Sequence, residues 1–417
     1  MGRKKNVFVY SHVIPSSTGS GARIRVFYNI KAYLMMEFIV ELILLGNSNY
    51  PKKRIYKDIG DNNFKITKLN HLKIGDGNSD IKLINEKKNI LDWILNYQFK
   101  NRHVVKKILT ENLKNYPNAI HHFEYMQNAS ASAGLNGKFV WSNHDNFSKR
   151  ILIKSKLGHK TKGFIERIIL ILRYILTRST ERFIIKNINL VITLSSYENN
   201  YYKKISPKKV IFFPWSIKNS QSCISKNFIR KGKNEKFKIL HLGSLDSILP
   251  FQSMFNLLFQ VFPKIEKSNF LKIQLLVAGS ISNNTRSTQI IKKANKYKNI
   301  EILGFVDDLT NIWEQTDLQI IASEFEIGIR TKIIESLYMK VPVVCLKETA
   351  KGLPGLKHMK NIILPNTLEE MAIYLDEIVN GKIKLEQISH NGFKLYNKHY
   401  NFENNLPIFE NYIQKYL

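Results

Sequence analysis

The sequence predicts an α/β protein built from two doubly wound domains. Short apolar runs alternate with stretches of helical periodicity, which is the pattern of parallel strands connected by helices. This pattern begins near Asn6 and begins again at Phe237, and residues 218–236 between the two halves are rich in Ser, Asn and Lys, as linkers are. The 417 residues therefore divide into domains at residues 1–217 and 237–392, each of ordinary size.

The first half opens with a strand, a glycine-containing loop and a helix. We expect the strand at residues 6–12 and the helix at about residues 22–36, with Gly21 at the end of the loop. Because glycine has no Cβ, the loop backbone can approach a ligand closely. Arg23 and Arg25 add positive charges that could reach an anionic ligand. Further strands are predicted at residues 38–45, 119–123, 138–141, 190–194 and 210–214.

Polar side chains follow several of these strands. Ligands of open α/β sheets bind beyond the carboxyl ends of the strands. The residues at those ends include His121, His122, Glu124, His144 and Asp145. We single out His144 as a candidate functional residue, and a purely structural role for it is an equally open interpretation.

Residues 151–187 are both basic and apolar. Two interpretations stay open, a helix packed on the first sheet or an interfacial segment attracted to anionic lipid. The charges within the segment argue against a membrane-spanning helix. The apolar face consists of Ile165, Ile168, Ile169, Leu172, Ile175 and Leu176, and the flanking lysines are Lys154, Lys156, Lys160 and Lys162.

The second half repeats the alternation of strands and loops. Gly243 and Ser244 follow its first strand, where a loop that contacts phosphate is expected. The adjacent pair Asp307 and Asp308 lacks the spacing of a metal-binding pair, and a helix-capping role is favoured. Strands are predicted at residues 237–242, 273–278, 300–305, 318–322 and 343–346.

The stretch from residue 324 to residue 344 contains a loop, a helix, a tight turn and a buried strand. The start of the helix carries Arg330 and Lys332, and Glu335 lies one turn further along. A helix N-terminus with two added cations is suited to bind a phosphate group. A carboxylate one turn further along can accept hydrogen bonds from hydroxyl groups. This combination fits a nucleoside diphosphate sugar, and the alternative is an ordinary charged surface helix.

The composition indicates anionic partners and a reducing compartment. The chain has 64 Lys and Arg against 33 Asp and Glu, a formal net charge of +31. Such a charge favours nucleotides, anionic lipid head groups or nucleic acid, although general compositional bias also contributes. Cys223 and Cys345 are far apart and form no metal-ligand pattern. We find no signal peptide and no apolar run long enough to span a membrane, so we expect a cytoplasmic protein.

The run G-I-R-T-K-I-I-E-S-L-Y-M-K-V-P-V-V at residues 328–344 resembles the donor-site helix of family 4 glycosyltransferases with the GT-B fold. It is most similar to the branch that has G-I-R-x-K-x-x-E. Arg330, Lys332 and Glu335 match that pattern, whereas Ile327 stands where the broader family has a first glutamate. The resemblance extends over nearly all of the second half of the chain. In the first half, only the pattern of strands and helices resembles the family.

The resemblance implies two Rossmann-like domains facing each other across a cleft, with a terminal helix at residues 393–417 crossing back to the first domain. It implies transfer of a sugar, with retention of configuration, from a UDP- or GDP-linked donor to a glycan or lipid-linked acceptor in bacterial-type surface polysaccharide synthesis. The implied catalytic residues are Arg330, Lys332 and His144. The implied donor-binding residues are Gly21, Gly243, Ser244, Gly304, Val306, Gly328, Ile329 and Glu335.

Two other functions compete with this interpretation. A nucleotide-sugar-binding protein without transfer activity is suggested by Ile327. Nucleic-acid binding is suggested only by charge, and no helix-turn-helix, zinc or RNP-like motif supports it. We therefore expect no metal, no cofactor besides the nucleotide-sugar co-substrate and no nucleic acid. We also expect peripheral association with an anionic membrane surface at the inner face of the cytoplasmic membrane.

Overall fold

The computed structural model divides the chain into two compact units, Met1–Ile217 with Asn405–Leu417, and Lys218–Asn404. The structure describes residues 5–45, 52–69, 99, 102–144, 146–157, 164–214, 216–217, 235–282, 285–325 and 331–417. Asp145, Gly328, Ile329 and Arg330, and the flanking Lys160 and Lys162, lie outside the described residues. In the described part, each unit contains one parallel sheet with helical connections.

The first unit contains a seven-stranded parallel sheet with the order β3-β2-β1-β4-β5-β6-β7. Its central strands are apolar on both faces because helices cover both sides, as is usual for parallel sheets. The core includes Tyr10, Phe123, Phe139 and Trp141, which are fully buried. The strands are β1 (Asn6–Ser11), β2 (Ile39–Leu45), β3 (Phe64–Leu69), β4 (Ile120–Glu124), β5 (Lys138–Asn143), β6 (Leu190–Thr193) and β7 (Val210–Phe212).

The helices of the first unit connect successive strands. The start of the helix Ser196–Lys203 follows directly from the sequence. Ser195 is its N-cap, and the Ser195 side chain accepts a hydrogen bond from the backbone N–H of Glu198. The described residues of the basic, apolar stretch are helical on both sides of residues 158–163. The helices are Gly21–Met35, Lys52–Ile59, Arg102–Asn115, Tyr125–Ala129, Phe147–Leu157, Phe164–Asn187 and Ser196–Lys203, with a 3₁₀ turn at Ser130–Ser132.

The second unit contains a five-stranded parallel sheet with the order β10-β9-β8-β11-β12. Its strands are β8 (Phe237–Leu242), β9 (Ile273–Ala278), β10 (Ile300–Gly304), β11 (Leu318–Ile321) and β12 (Val343–Cys345). Its α-helices are Ile248–Asn256, Lys267–Lys272, Thr285–Ala294, Thr310–Gln315, Thr331–Tyr338, Lys347–Ala350, Leu368–Val379 and Leu385–His399, with a π turn at Leu257–Val261 and a 3₁₀ turn at Phe262–Lys264. The chain ends with the helix Phe402–Tyr416, so the single terminal helix expected from residue 393 is replaced by two helices.

The helix Thr331–Tyr338 ends in an unusual backbone conformation. Lys340 has a φ of 53°, in the left-handed region that favours glycine. The side chain of Ser389 donates a hydrogen bond to the Lys340 carbonyl oxygen at 2.6 Å, which satisfies one carbonyl at this helix end.

Candidate functional site

Three glycine turns lie side by side at the carboxyl ends of β8, β9 and β10. Gly243 and Gly279 each have a φ of 148°, and Gly304 has a φ of 68°. A Cβ added to Gly279 would lie 2.2 Å from the carbonyl oxygen of Gly243, so only glycine allows these two turns to approach. The N–H of Gly279 donates to the carbonyl of Gly304 at 2.7 Å. The glycines therefore bring the backbone of three strand ends together at the edge where such sheets bind ligands.

Serine side chains connect two of these turns. The hydroxyl of Ser280 donates to the hydroxyl of Ser244 at 2.7 Å, and Ser244 donates to the carbonyl of Ser280 at 3.3 Å. The backbone N–H of Ser282 donates to the Asp246 carboxylate at 2.9 Å. Hydrogen bonds from Ser282 lower the pKa of Asp246, which keeps this carboxylate ionised. Gly243 and Ser244 thus lie at the expected strand end, in a turn that hydrogen bonds pre-organise.

The helix Thr331–Tyr338 carries the two described residues of the predicted anion and hydroxyl site. Lys332 Nζ lies 2.8 Å from Glu335 Oε2, one turn apart on the helix. The second carboxylate oxygen, Glu335 Oε1, is buried and has no hydrogen-bond partner. A buried, unpaired carboxylate oxygen is costly, so this atom is suited to accept a ligand hydroxyl. Val306, another predicted donor residue, packs partly buried against the core cluster that includes Trp313.

A second carboxylate lies at the end of β11. Asn256 Nδ2 donates to Glu324 Oε2 at 3.1 Å and to the carbonyl of Ala322 at 2.8 Å. Gln252 Nε2 also donates to Glu324 at 3.2 Å. The helix Ile248–Asn256 therefore holds Glu324, which is out of register with the family's first glutamate. Ile327, which occupies that register, lies outside the described residues.

The first unit contains a fully buried carboxylate, Glu124, at the carboxyl end of β4. Asn29 Nδ2 donates to Glu124 Oε1 at 2.7 Å. His144 Nε2 lies 2.6 Å from Glu124 Oε2. His122 Nε2 is 3.4 Å from Oε1, while its Nδ1 is bonded to the Tyr33 hydroxyl at 2.9 Å. His144, the predicted functional histidine, is thus oriented by a carboxylate from the neighbouring strand.

The environment keeps Glu124 ionised. Burial raises the pKa of Glu124, but hydrogen bonds from His144 and Asn29 and the nearby histidines overcome this effect and lower the pKa to about 2. Burial lowers the pKa of His122 to about 4, so His122 is neutral at pH 7 and its contact with Glu124 is not an ion pair. Since an ionised carboxylate only accepts hydrogen bonds, His144 Nε2 carries the proton in their contact.

An aromatic stack borders the Glu124 and His144 pair. The Tyr125 ring lies 4.0 Å from the His144 ring with nearly parallel planes and 4.4 Å from the His12 ring. Tyr125 has a φ of 72°, a strained conformation for a large side chain and one that is enriched at functional sites. Sequence analysis missed Asn29, His12 and Tyr125. The last two were detectable because they directly follow β1 and β4.

One of the two arginines after the first loop, Arg25, does not have the predicted accessibility. Arg25 is 2% exposed, and its guanidinium lies 5.1 Å from the centroid of the Phe213 ring. Arg23 Nε donates to the carbonyl of Ile14 at 3.3 Å. The expectation that Arg25 reaches an external anion is therefore wrong, because helix Gly21–Met35 turns this side chain into the unit. Gly21 is the first residue of that helix.

Four residues of the predicted apolar face are exposed. Ile168, Ile169, Leu172 and Ile175 are 42–60% exposed. The helix Phe164–Asn187 packs instead through its opposite face and its later turns, where Thr177, Thr180, Glu181, Ile184 and Ile185 are buried. The simple interpretation, in which the predicted face packs on the sheet, does not hold for these four residues.

The described residues contain neither a metal-binding cluster nor a membrane-spanning helix. No group of three or more His, Cys, Asp or Glu side chains in the described ranges is arranged to hold a metal ion. Asp308 accepts the backbone N–H of Thr310 at 2.9 Å, but the N-cap residue of the helix Thr310–Gln315 is Leu309, so the predicted N-cap role of the Asp pair does not hold. Within the part of the chain that the structure describes, no helix combines the length and apolarity needed to cross a membrane.

Comparisons with known proteins agree with this architecture. Residues 236–380 match the family model described as Glycosyl transferases group 1, and no curated protein matches the chain. The chain is similar to HepE of Anabaena in complex with UDP and glucose, with 13% identity, a TM-score of 0.65 and coverage of 99% of this chain and 100% of that one. It is also similar to a variant of TarM from S. aureus in complex with fondaparinux, α-GlcNAc-glycerol and UDP, with 12% identity, a TM-score of 0.65 and coverage of 98% and 99%. A third similar structure is the apo form of the lipopolysaccharide outer core galactosyltransferase WaaB, with 12% identity, a TM-score of 0.63 and coverage of 99% and 100%.

The structural likenesses establish the fold. The two parallel sheets have the GT-B glycosyltransferase fold, which confirms the predicted α/β class. Residues 236–380 match a glycosyl transferases group 1 domain, and this match together with the fold indicates an enzyme of the glycosyltransferase class.

Proposed function

We propose that this enzyme transfers a sugar from a UDP- or GDP-linked donor to a glycan or lipid-linked acceptor in surface polysaccharide synthesis, with retention of anomeric configuration. The observation that carries the proposal is the carboxylate of Glu335 within the group 1 domain. One of its oxygens pairs with Lys332 at 2.8 Å, and the other is buried without a partner. A cation that contacts phosphate, next to a carboxylate with an open acceptor, is suited to a nucleoside diphosphate.

In this proposal the second unit binds the donor. Lys332, with Arg330 from the sequence pattern, stabilises the negative charge that develops on the departing diphosphate. The turn at Gly243 and Ser244 offers backbone close to the same phosphates, and Glu335 accepts the ribose hydroxyls. The UDP complexes of HepE and the TarM variant support a uridine nucleotide as the first donor to test.

His144 acts on the sugar or on the acceptor hydroxyl. Its Nε2–H donates to Glu124, and this contact leaves Nδ1 as the ring nitrogen that can meet a ligand. An imidazole held in one tautomer can position a hydroxyl without reorganising during the reaction. In a retaining transfer without a covalent enzyme intermediate, the acceptor proton leaves to the donor phosphate. His144 then needs only to orient the reacting groups.

We also propose peripheral attachment to an anionic membrane at the cytoplasmic face. The exposed face of Ile168, Ile169, Leu172 and Ile175 supplies apolar area, and exposed Arg182 lies on the same helix. Each basic residue near an anionic surface contributes on the order of 1 kcal/mol. A few of the residues behind the +31 charge therefore suffice for reversible binding.

A donor screen tests the proposed reaction. UDP or GDP, or a sugar nucleotide of one of them, should raise the melting temperature of the wild-type protein, and Lys332→Ala should reduce that rise. Turnover of the stabilising donor with a glycan acceptor completes the test. If no nucleotide stabilises the protein, the donor assignment is wrong. Binding without turnover would favour the alternative suggested by Ile327, a nucleotide-sugar-binding protein that has lost transfer.

A vesicle assay tests the membrane proposal. The protein should pellet with vesicles that contain phosphatidylglycerol at low salt, and release at about 1 M salt, where the Debye length falls to about 3 Å. The double variant Ile169→Gln/Leu172→Gln should pellet less. Ile373→Gln is the matched control, because Ile373 is equally exposed, at 57%, but lies in the second unit. Equal pelleting with neutral vesicles would contradict the proposal.

A further inference from the structure

The first unit has a cavity next to the histidine and tyrosine stack. Its volume is about 330 Å³, at the lower end of the range of about 300–1,000 Å³ typical of small-molecule sites. His12 and Tyr125 form part of the lining, and Tyr125 stacks on His144. The cavity therefore lies at the carboxyl ends of β1, β4 and β5, beside the residue with the proposed role at the acceptor.

The polar lining of the cavity consists of hydrogen-bond donors. Arg150 and Arg173 reach it from two different helices, and Asn143 reaches it from the end of β5. Asn143 is 2% exposed, and its Nδ2 has no hydrogen-bond partner. A buried amide donor without a partner costs free energy unless a ligand satisfies it. This amide is therefore independent evidence that the cavity binds a ligand with a hydrogen-bond-accepting atom.

Two of the described lining residues of the cavity, Arg150 and Arg173, are arginines. None of its described lining residues is Asp or Glu. The neighbouring buried carboxylates are already engaged, Glu124 by His144 and Asn29 and Glu181 by Ser148 at 3.1 Å. The guanidinium groups of Arg150 and Arg173 favour an anion, because guanidinium geometry matches phosphate oxygens particularly well.

The rest of the lining is apolar. Phe147, Ile151 and Leu170 border the cavity, and Ile151 is buried. Leu170 belongs to the helix Phe164–Asn187, whose outward face exposes Ile169 and Leu172 by 56% and 60%. An anion site with an apolar wall, on a helix with further exposed apolar side chains, is complementary to a ligand with a charged head and a hydrocarbon chain.

We propose that this cavity binds the phosphate group of a lipid phosphate acceptor. Arg150, Arg173 and Asn143 contact the phosphate oxygens, and the first carbons of the hydrocarbon chain pack against Phe147, Ile151 and Leu170. The inference rests on the proposed function, since it names the acceptor of the same transfer reaction. It adds that the enzyme recognises the anionic linkage of the acceptor as well as its sugar.

Calorimetric titration of the full chain with farnesyl phosphate tests this assignment. Farnesol supplies the same hydrocarbon without the anion, and inorganic phosphate supplies the anion without the hydrocarbon. Farnesyl phosphate should bind more tightly than either, and Arg150→Gln and Arg173→Gln should each weaken it by about tenfold, which is typical of losing one charge-assisted hydrogen bond. Arg182→Gln is the matched control. It removes an exposed arginine of the same helix that is not among the described lining residues.

Several outcomes would overturn the assignment. Farnesol binding as tightly as farnesyl phosphate would leave only nonspecific apolar contact. Inorganic phosphate binding as tightly would make the site one for free phosphate. Equal affinities for Arg173→Gln and Arg182→Gln, with unchanged melting temperatures, would place the phosphate elsewhere. Because no donor is present, a chain without transferase activity still gives an answer, so failure of the proposed function is distinguishable.

Discussion

Replacing Glu124 by Gln should change both the stability of the first unit and the tautomer of His144. Asn29 Nδ2 donates to one carboxylate oxygen at 2.7 Å, and His144 Nε2 lies 2.6 Å from the other. Glutamine offers one acceptor and one donor in place of two acceptors. If its oxygen faces Asn29, its amide N–H groups face His144 Nε2. The imidazole must then carry its proton on Nδ1. It thereby loses the ring nitrogen that we propose accepts a hydrogen bond from a hydroxyl group of the sugar or of the acceptor substrate.

The magnitude follows from the ionisation of the carboxylate. The pKa of Glu124 is lowered from the ordinary value of 4.5 to about 2, and this difference corresponds to about 3 kcal/mol of stability. A lowered carboxylate pKa stabilises the folded state above the unfolded pKa. The contribution is therefore fully present at pH 7 and is lost as the pH falls from about 4.5 to about 2. Glu124→Gln should be destabilised by about 3 kcal/mol at pH 7, and its deficit should shrink in acid.

Urea unfolding of both proteins between pH 3 and pH 7 measures this difference, and nitrogen-15 NMR of the histidines reports the tautomer. Glu181→Gln is an informative control because burial raises the pKa of Glu181. A raised carboxylate pKa makes stability fall as the pH rises, so the two variants should show opposite pH dependence relative to wild type. If Glu124→Gln differs from wild type by the same amount at pH 3 and pH 7, the charge of Glu124 does not stabilise the unit.

Four further predictions concern the second unit. Lys332→Ala and Arg330→Ala should each lower kcat/KM by an amount equivalent to about 2–4 kcal/mol, since each removes a charge from a departing diphosphate; unchanged kinetics in both would place the diphosphate elsewhere. Glu335→Gln should weaken nucleotide binding by about 1.5–3 kcal/mol in calorimetry, and equal affinity with an intact fold would exclude the ribose role. Turnover should survive EDTA, because cations and helix N–H groups are proposed to hold the diphosphate; loss that magnesium or manganese restores would contradict this. Gly279→Ala should lower the unfolding free energy by more than about 2 kcal/mol through its clash with neighbouring backbone. Gly381→Ala, which has a positive φ but open space around it, should cost about 1–2 kcal/mol.

The elements of the fold were predictable because they depend on local periodicity. The strands β8 and β9 have the predicted bounds, and the helix Gly21–Met35 begins and ends within one residue of the expected range. The helix that carries Lys332 and Glu335 was also predicted, together with their proximity. The predicted roles of these two side chains depend on a ligand and remain predictions.

The candidate group around Glu124 in the first unit depends on contacts that no local pattern encodes. Glu124 and His144 are brought together because β4 and β5 are adjacent in the sheet, and Asn29 joins them from a helix almost one hundred residues earlier. The buried amide of Asn143 becomes a candidate ligand group only because a cavity forms beside it. Strand ends could be listed from the sequence, but the order of the strands decides which ends are neighbours.

The alternation of strands and helices, the α/β class and the helix that carries Lys332 can all be predicted from the sequence alone. Which side of each element is buried against its neighbours depends on the tertiary structure. Periodicity defines an apolar face but not its partner, and so Ile169 and Leu172 are exposed whereas Arg25 is buried. The physical reason is that burial depends on the elements that pack nearby, and these come from distant parts of the chain. A charged residue can therefore lie inside the unit while an apolar helix face remains available to a membrane or an acceptor.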